Sequence, residues 1–198
     1  MDVPLNRSSR RALILPGRLY TPALPLLQRT RGVLEDHGWS VREVWWQVPE
    51  SLEGINGWVA EHAAAAVAEE SALPPTPERW LFAAKSLGTR VVRSGPRADA
   101  YVLLTPLVTL PGVLDSITRL VSDGVPVLLV GGGQDELWSG EAARSTRAQV
   151  LEVPDADHLM EVPSDPDRSA EILREITGEL SAFLGSLRPG RRAPRGAP

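Results

Sequence analysis

Three short stretches hold the residue types that acid–base and nucleophilic chemistry use: "FAAKSLGT" with Ser86, "GGGQDELW" with Asp135 and "VPDADHLMEV" with His158. A serine hydroxyl is a weak nucleophile until a nearby base takes its proton. Ser86 alone is equally suited to start a helix, since serine is a favoured N-cap. The two readings part on whether the rest of the chain brings a base, an acid and an anion-binding backbone to the same place. Ser86 has small residues two positions to either side, Ala84 and Gly88, and it follows the only lysine, Lys85. Of the three histidines, His37 and His62 fall in helix-like stretches and read as surface or internally satisfied side chains. His158 alone follows a strand-like run. Among the acids, Asp135 competes with Glu136, Asp155 and Asp157. Asp157 adjoins the histidine in sequence, an awkward place for an orienting carboxylate, whereas Asp135 lies just past the most apolar run of the chain.

The elements that must position these residues can be read from apolar periodicity. Short apolar runs predict strands over 12–17, 41–46, 79–84, 100–106, 125–132 and 149–154. Between them, helix-period spacing predicts helices over 21–38, 52–72, 86–95, 112–124 and 139–148, with a last one over 164–187. Asp165 can cap that last helix and Pro166 suits its first turn. Strand–helix alternation with near-continuous Val/Leu strands predicts an α/β fold, a mostly parallel central sheet of about six strands flanked by helices. In such sheets chemistry sits in the loops after the carboxyl ends of strands. Ser86, Asp135 and His158 each follow a different strand.

Small-x-Ser-x-Gly between a strand and a helix resembles the nucleophile elbow of the α/β-hydrolases. The turn crowds the serine's neighbours, so positions 84 and 88 must be small; Ala84 stands where glycine is commoner. The order Ser86, Asp135, His158 matches that family's triad, and the resemblance spans nearly the whole chain. It implies that Ser86 attacks an acyl carbonyl, that His158 is the general base, and that Asp135 orients the imidazole. It places the oxyanion against the backbone N–H groups of Leu87 and Arg18. The family often has His-Gly before the second donor, where this chain has Pro16-Gly17. Lys85 is expected to project away from the serine. Trp45 and Trp46, on opposite sides of a strand, read as packing residues.

Many α/β-hydrolases insert a cap after the fourth strand. Here only "LVTLP" (107–111) separates that strand from its helix, which implies a minimal fold without a cap and an open site. The chain resembles small lidless serine hydrolases of the dienelactone-hydrolase-like kind, which can carry Cys as nucleophile where this chain has Ser. Leu19, Tyr20, Leu107, Trp138 and Met160 are the candidate pocket walls. The expected substrate is a small acyl compound, an ester or thioester, with no cofactor or metal. Two other uses fit the same pattern: a non-catalytic binding module, and acyl transfer or a lyase-like step with the same triad. The glycine run 131–133 lacks the third glycine of a dinucleotide fingerprint and comes far too late in the chain for one.

Bulk properties narrow the field. The 198 residues include no cysteine, which removes disulfides and thiolate metal sites. Net charge is −4, yet the Arg/Pro/Gly-rich stretch 188–198 holds four arginines and no acid, leaving residues 1–187 at −8. An acidic body argues against nucleic-acid binding. Residues 1–187 are read as one domain and 188–198 as a disordered extension. No apolar run approaches the roughly 20 residues that span a bilayer, and the start lacks a secretory pattern, so a cytoplasmic protein off the membrane is expected. Twenty arginines against one lysine fit a GC-rich bacterial coding bias. Oligomeric state is left open.

Overall fold

β1 (Arg10–Leu15), β3 (Arg79–Lys85), β4 (Ala100–Leu104) and β5 (Val127–Gly132) are the runs richest in buried apolar residues, and in the computed structural model they form the centre of the sheet. β2 (Ser40–Glu43) and β6 (Gln149–Val153), with more mixed sequences, take the two edges. The order is β2-β1-β3-β4-β5-β6 and every pairing is parallel. The structure describes residues 7–187; the stretch 188–198 lies outside the described residues.

Side-chain alternation along the strands divides the core in two. On one face α1 (Pro25–Asp36) and α6 (Pro166–Ser186) bury Leu26, Leu27, Leu34, Ile172, Ile176 and Leu180 against Leu81, Ala83 and Val102. On the other, α2 (Ile55–Ser71), α3 (Val91–Ser94), α4 (Val113–Ser122) and α5 (Gly140–Ser145) cover Phe82, Ala84 and Leu103. Each such leucine or isoleucine contributes roughly 1.5–3 kcal/mol through burial. Asp165 caps α6 by accepting from the Arg168 N–H at 2.9 Å, with Pro166 in the first turn. α1 begins at Pro25 without a side-chain cap from its N-cap residue, Leu24. The Tyr20 hydroxyl supplies one instead, accepting from the Leu26 N–H at 3.0 Å.

One expected element is shorter than its sequence suggested. β2 ends at Glu43, so Trp45 and Trp46 are not strand neighbours on opposite faces. The last link to β1 is the Val44 N–H to the Ile14 carbonyl, after which the chain leaves the sheet. Trp45 is then exposed, while Trp46 turns inward to meet the ring of Trp58 at 5.1 Å. Only residues 105–112 join β4 to α4, and the fold carries no cap. Among the described residues no helix is long and apolar enough to cross a membrane.

Candidate active site

β3 runs between β1 and β4, where Ala84 pairs with Leu15 and Leu103 and is fully buried. The chain then turns sharply at Ser86, whose φ of 49° lies in the left-handed region. Holding a non-glycine residue there costs on the order of 1–3 kcal/mol and needs surrounding structure to enforce it. Gly88 supplies part of that enforcement. Its N–H donates to the Pro16 carbonyl at 3.1 Å, and an added Cβ would sit 2.5 Å from the Leu15 oxygen. The Thr89 hydroxyl closes the short 3₁₀ turn Ser86–Arg90 by donating to the Ser86 carbonyl at 2.6 Å. Both small residues around the serine therefore have a packing cause.

The glycine run after β5 has one as well. A Cβ on Gly131 would enter the ring of Trp138, and one on Gly132 or Gly133 would enter the backbone of Ala156 or Pro154. Bare backbone lets the loop after β5 lie against the loop after β6, joined by the Gly133 N–H to Val153 and the Gln134 N–H to Ala156. Asp157 shapes the second loop: its Oδ1 accepts from the Leu159 and Glu161 N–H groups at 2.8 and 3.0 Å. Asp155 is engaged by Arg168 at 2.7 Å. Glu136 is exposed, which leaves the buried Asp135 in the first loop, facing the second.

Ser86, His158 and Asp135 meet. The imidazole Nδ1 is 2.7 Å from Asp135 Oδ2, and Nε2 is 2.8 Å from Ser86 Oγ. A carboxylate only accepts, so the proton sits on Nδ1, leaving Nε2 free to accept from the serine hydroxyl. Asp135 Oδ1 takes a second hydrogen bond from the Leu137 N–H at 2.9 Å, so both carboxylate oxygens are held. The Asp135 side chain is 1% exposed and that of His158 32%. Asp135 is shielded from water while about a third of the His158 side chain is exposed. The other two histidines are occupied elsewhere, His37 with Ser181 Oγ and His62 with the Trp58 carbonyl.

Outside bonds internal to helices and strands, the backbone N–H groups of Arg18 and Leu87 donate to no backbone carbonyl among the described residues. Gly17 comes close to Ser86: its missing Cβ would lie 3.5 Å from Ser86 Cβ. Trp46, which the sequence presented as plain packing, donates from Nε1 to the Gly17 carbonyl at 3.3 Å. In a trans peptide the carbonyl and the following N–H point oppositely, so this bond turns the Arg18 N–H away from Trp46.

Lys85 and the pocket residues depart from expectation. Lys85 does point to the face opposite Ser86, but it is not idle. It is fully buried, and its ammonium donates to Thr105 Oγ1 at 3.0 Å and to the His158 carbonyl at 2.9 Å. Burial depresses its pKa to about 8, against the pull of Asp135, Asp157 and Glu161. Of the five candidate pocket walls, Tyr20 and Met160 belong to the core under α1 and α6, and Trp138 to the opposite core. Tyr20 is held there by its cap on α1, and Trp138 by packing on Gly131 and a bond to Glu152. Leu107 is buried, and Leu19 is 91% exposed. Lys85 and Trp46 were missed because a lone lysine and a tryptophan pair carry surface and packing expectations; only their positions beside the elbow and the first loop could have marked them.

The sequence matches no protein-family model and no curated protein. The backbone is more telling. Est1E from Butyrivibrio proteoclasticus, solved with ferulic acid, superposes with a TM-score of 0.66 over 92% of each chain at 15% identity. A putative α/β hydrolase of unknown function from Agrobacterium tumefaciens gives 0.67 over 94% of this chain and 91% of that one, at 16% identity. The fold is that of the α/β-hydrolases. A cold-adapted esterase from an Arctic intertidal metagenomic library shares the α/β-hydrolase fold with this chain too, at TM-score 0.60 and 19% identity, covering 91% and 85%.

Proposed function

We propose that the protein is a serine hydrolase that cleaves a small carboxylic ester or thioester through an acyl-enzyme. The observation that carries this reading is the unbroken relay from Ser86 Oγ through the His158 ring to Asp135, at 2.8 and 2.7 Å. Ser86 Oγ attacks the acyl carbon as Nε2 accepts its proton. The Asp135 carboxylate stabilises the imidazolium that forms. The oxyanion is met by the N–H groups of Leu87, at the start of a helical turn, and Arg18. His158 then protonates the departing alcohol or thiol, and water repeats the sequence on the acyl-serine. Several chains of the same fold being called esterases supports an ester as the substrate class. The absence of a cap favours a small or terminally presented acyl group.

A fluorophosphonate, which phosphonylates only an activated serine, tests the proposal. The protein becomes labelled and Ser86→Ala does not. In the same variant kcat on an activated aryl ester falls by a factor on the order of 10⁴–10⁶. Folded wild-type protein that resists labelling would instead support a binding module on this fold.

A further inference from the structure

Among the described residues, Lys85 is the one charged side chain buried beside the relay that the mechanism above does not use. It is the last residue of β3, and strand alternation sends it into the core shared by Tyr20 and Met160, opposite the side of Ser86. Three partners surround Nζ. Thr105 Oγ1 lies at 3.0 Å, the His158 carbonyl at 2.9 Å, and the centroid of the Tyr20 ring at 4.6 Å. An ammonium has three N–H bonds and no lone pair, so two oxygens and one aromatic face satisfy it fully. A neutral amine would turn a lone pair toward one of them.

These partners come from three different loops. Tyr20 follows β1, Thr105 follows β4, and His158 follows β6. Among the described residues no carboxylate lies within ion-pair distance of Nζ. The acids that act on it from a distance are Asp135 after β5 and Asp157 and Glu161 after β6. A charge is thus kept in the core without a direct counter-ion, which is costly unless position demands it. The partner that justifies it is the main chain of the histidine.

We propose that Lys85 is a positioning residue for the relay: its ammonium anchors the His158 carbonyl and so sets where the imidazole meets Ser86. The inference rests on the reading of Ser86 and His158 as the reacting pair. Hydrogen bonds from a charged donor are roughly twice as strong as neutral ones. A base displaced by about 1 Å costs on the order of 100-fold in rate. Since burial brings Lys85 to about pH 8, the anchor weakens within an accessible alkaline range. Tyr20, by contrast, is pushed up from the ordinary tyrosine value by its own burial.

The test compares wild type with Lys85→Met, which keeps length and volume and removes all three donors. Fluorophosphonate labelling rates and ester kinetics are measured from pH 6 to 10. Wild-type rates decline above about pH 8, whereas those of Lys85→Met are lower by about 10- to 100-fold at pH 7 and show no such decline. The loss falls on kcat, with KM within about threefold. A wild type that is never labelled overturns the relay and this inference with it. A labelled wild type whose rate stays level to pH 10 overturns the inference alone and needs no variant to fold. So does a folded Lys85→Met that matches wild type at every pH.

Discussion

Below the carboxyl end of β3 the side chains are closed in and paired. Lys85, Thr105 and Asp135 are buried, and each polar atom at the contact has a partner. Above it, around Ser86, the chain is open: Leu19 is 91% exposed, Arg18 is exposed, and Leu159 is 43% exposed. The two regions meet at the Lys85–Ser86 peptide bond and through His158, which contacts Asp135, Lys85 and Ser86. Their contrast teaches which demand each one meets. Proton transfer needs reacting atoms within fractions of an ångström, which only packed and hydrogen-bonded groups can hold. Admitting a substrate needs room.

The comparison can be broken most severely from below. Asp135→Asn keeps its oxygen on the Leu137 N–H and turns an NH2 donor toward Nδ1, which forces the wrong imidazole tautomer, and kcat is expected to fall by a factor on the order of 10⁴ while the fold persists. A change under tenfold on an activated ester would mean that the lower region does not govern the relay. The next effect is on stability. For Lys85 the folded pKa of about 8 lies below the ordinary 10.5, so the folded state binds fewer protons than the unfolded one between those values. The burden of the buried charge is fully present below about pH 8 and disappears as pH approaches 10.5. Relative to Lys85→Met, wild type should therefore gain about 3 kcal/mol of unfolding free energy between pH 7 and 10.5, read by denaturant titration at each pH. A difference that stays constant with pH would show the ammonium to be solvated. The smallest effect belongs to the upper region. Leu19→Ser should change KM by no more than about twofold and leave Tm unaltered, as surface substitutions do. A tenfold rise in KM would reveal an acyl-binding wall where the structure shows an exposed side chain.

Apolar periodicity was enough to read the six strands and their helices, because strands buried on both faces leave little room for polar residues. The loops holding Ser86, Asp135 and His158 could be picked out because each follows one of those runs. What stayed hidden depended on the path of irregular chain. Nothing in "VWWQVP" says that the strand stops at Glu43 and sends the Trp46 N–H to Gly17. Tyr20 and Met160 look like pocket residues by sequence position, yet their loops fold inward and spend them on capping α1 and filling the core. Lys85 was hidden for another reason: a lysine is expected in water. Its burial follows only from the partners that three separate loops bring to it.

The bond between the Gly88 N–H and the Pro16 carbonyl has a consequence for selectivity. It ties the turn bearing the Leu87 N–H to the loop bearing the Arg18 N–H, so the gap between these two donors is set when the chain folds. On the proposed mechanism, an acyl compound meets a ruler of fixed length rather than a hand that closes. On that proposal, discrimination falls on the shape of the carbonyl carbon's own substituents, and compounds that differ only far from that carbon are expected to be turned over alike.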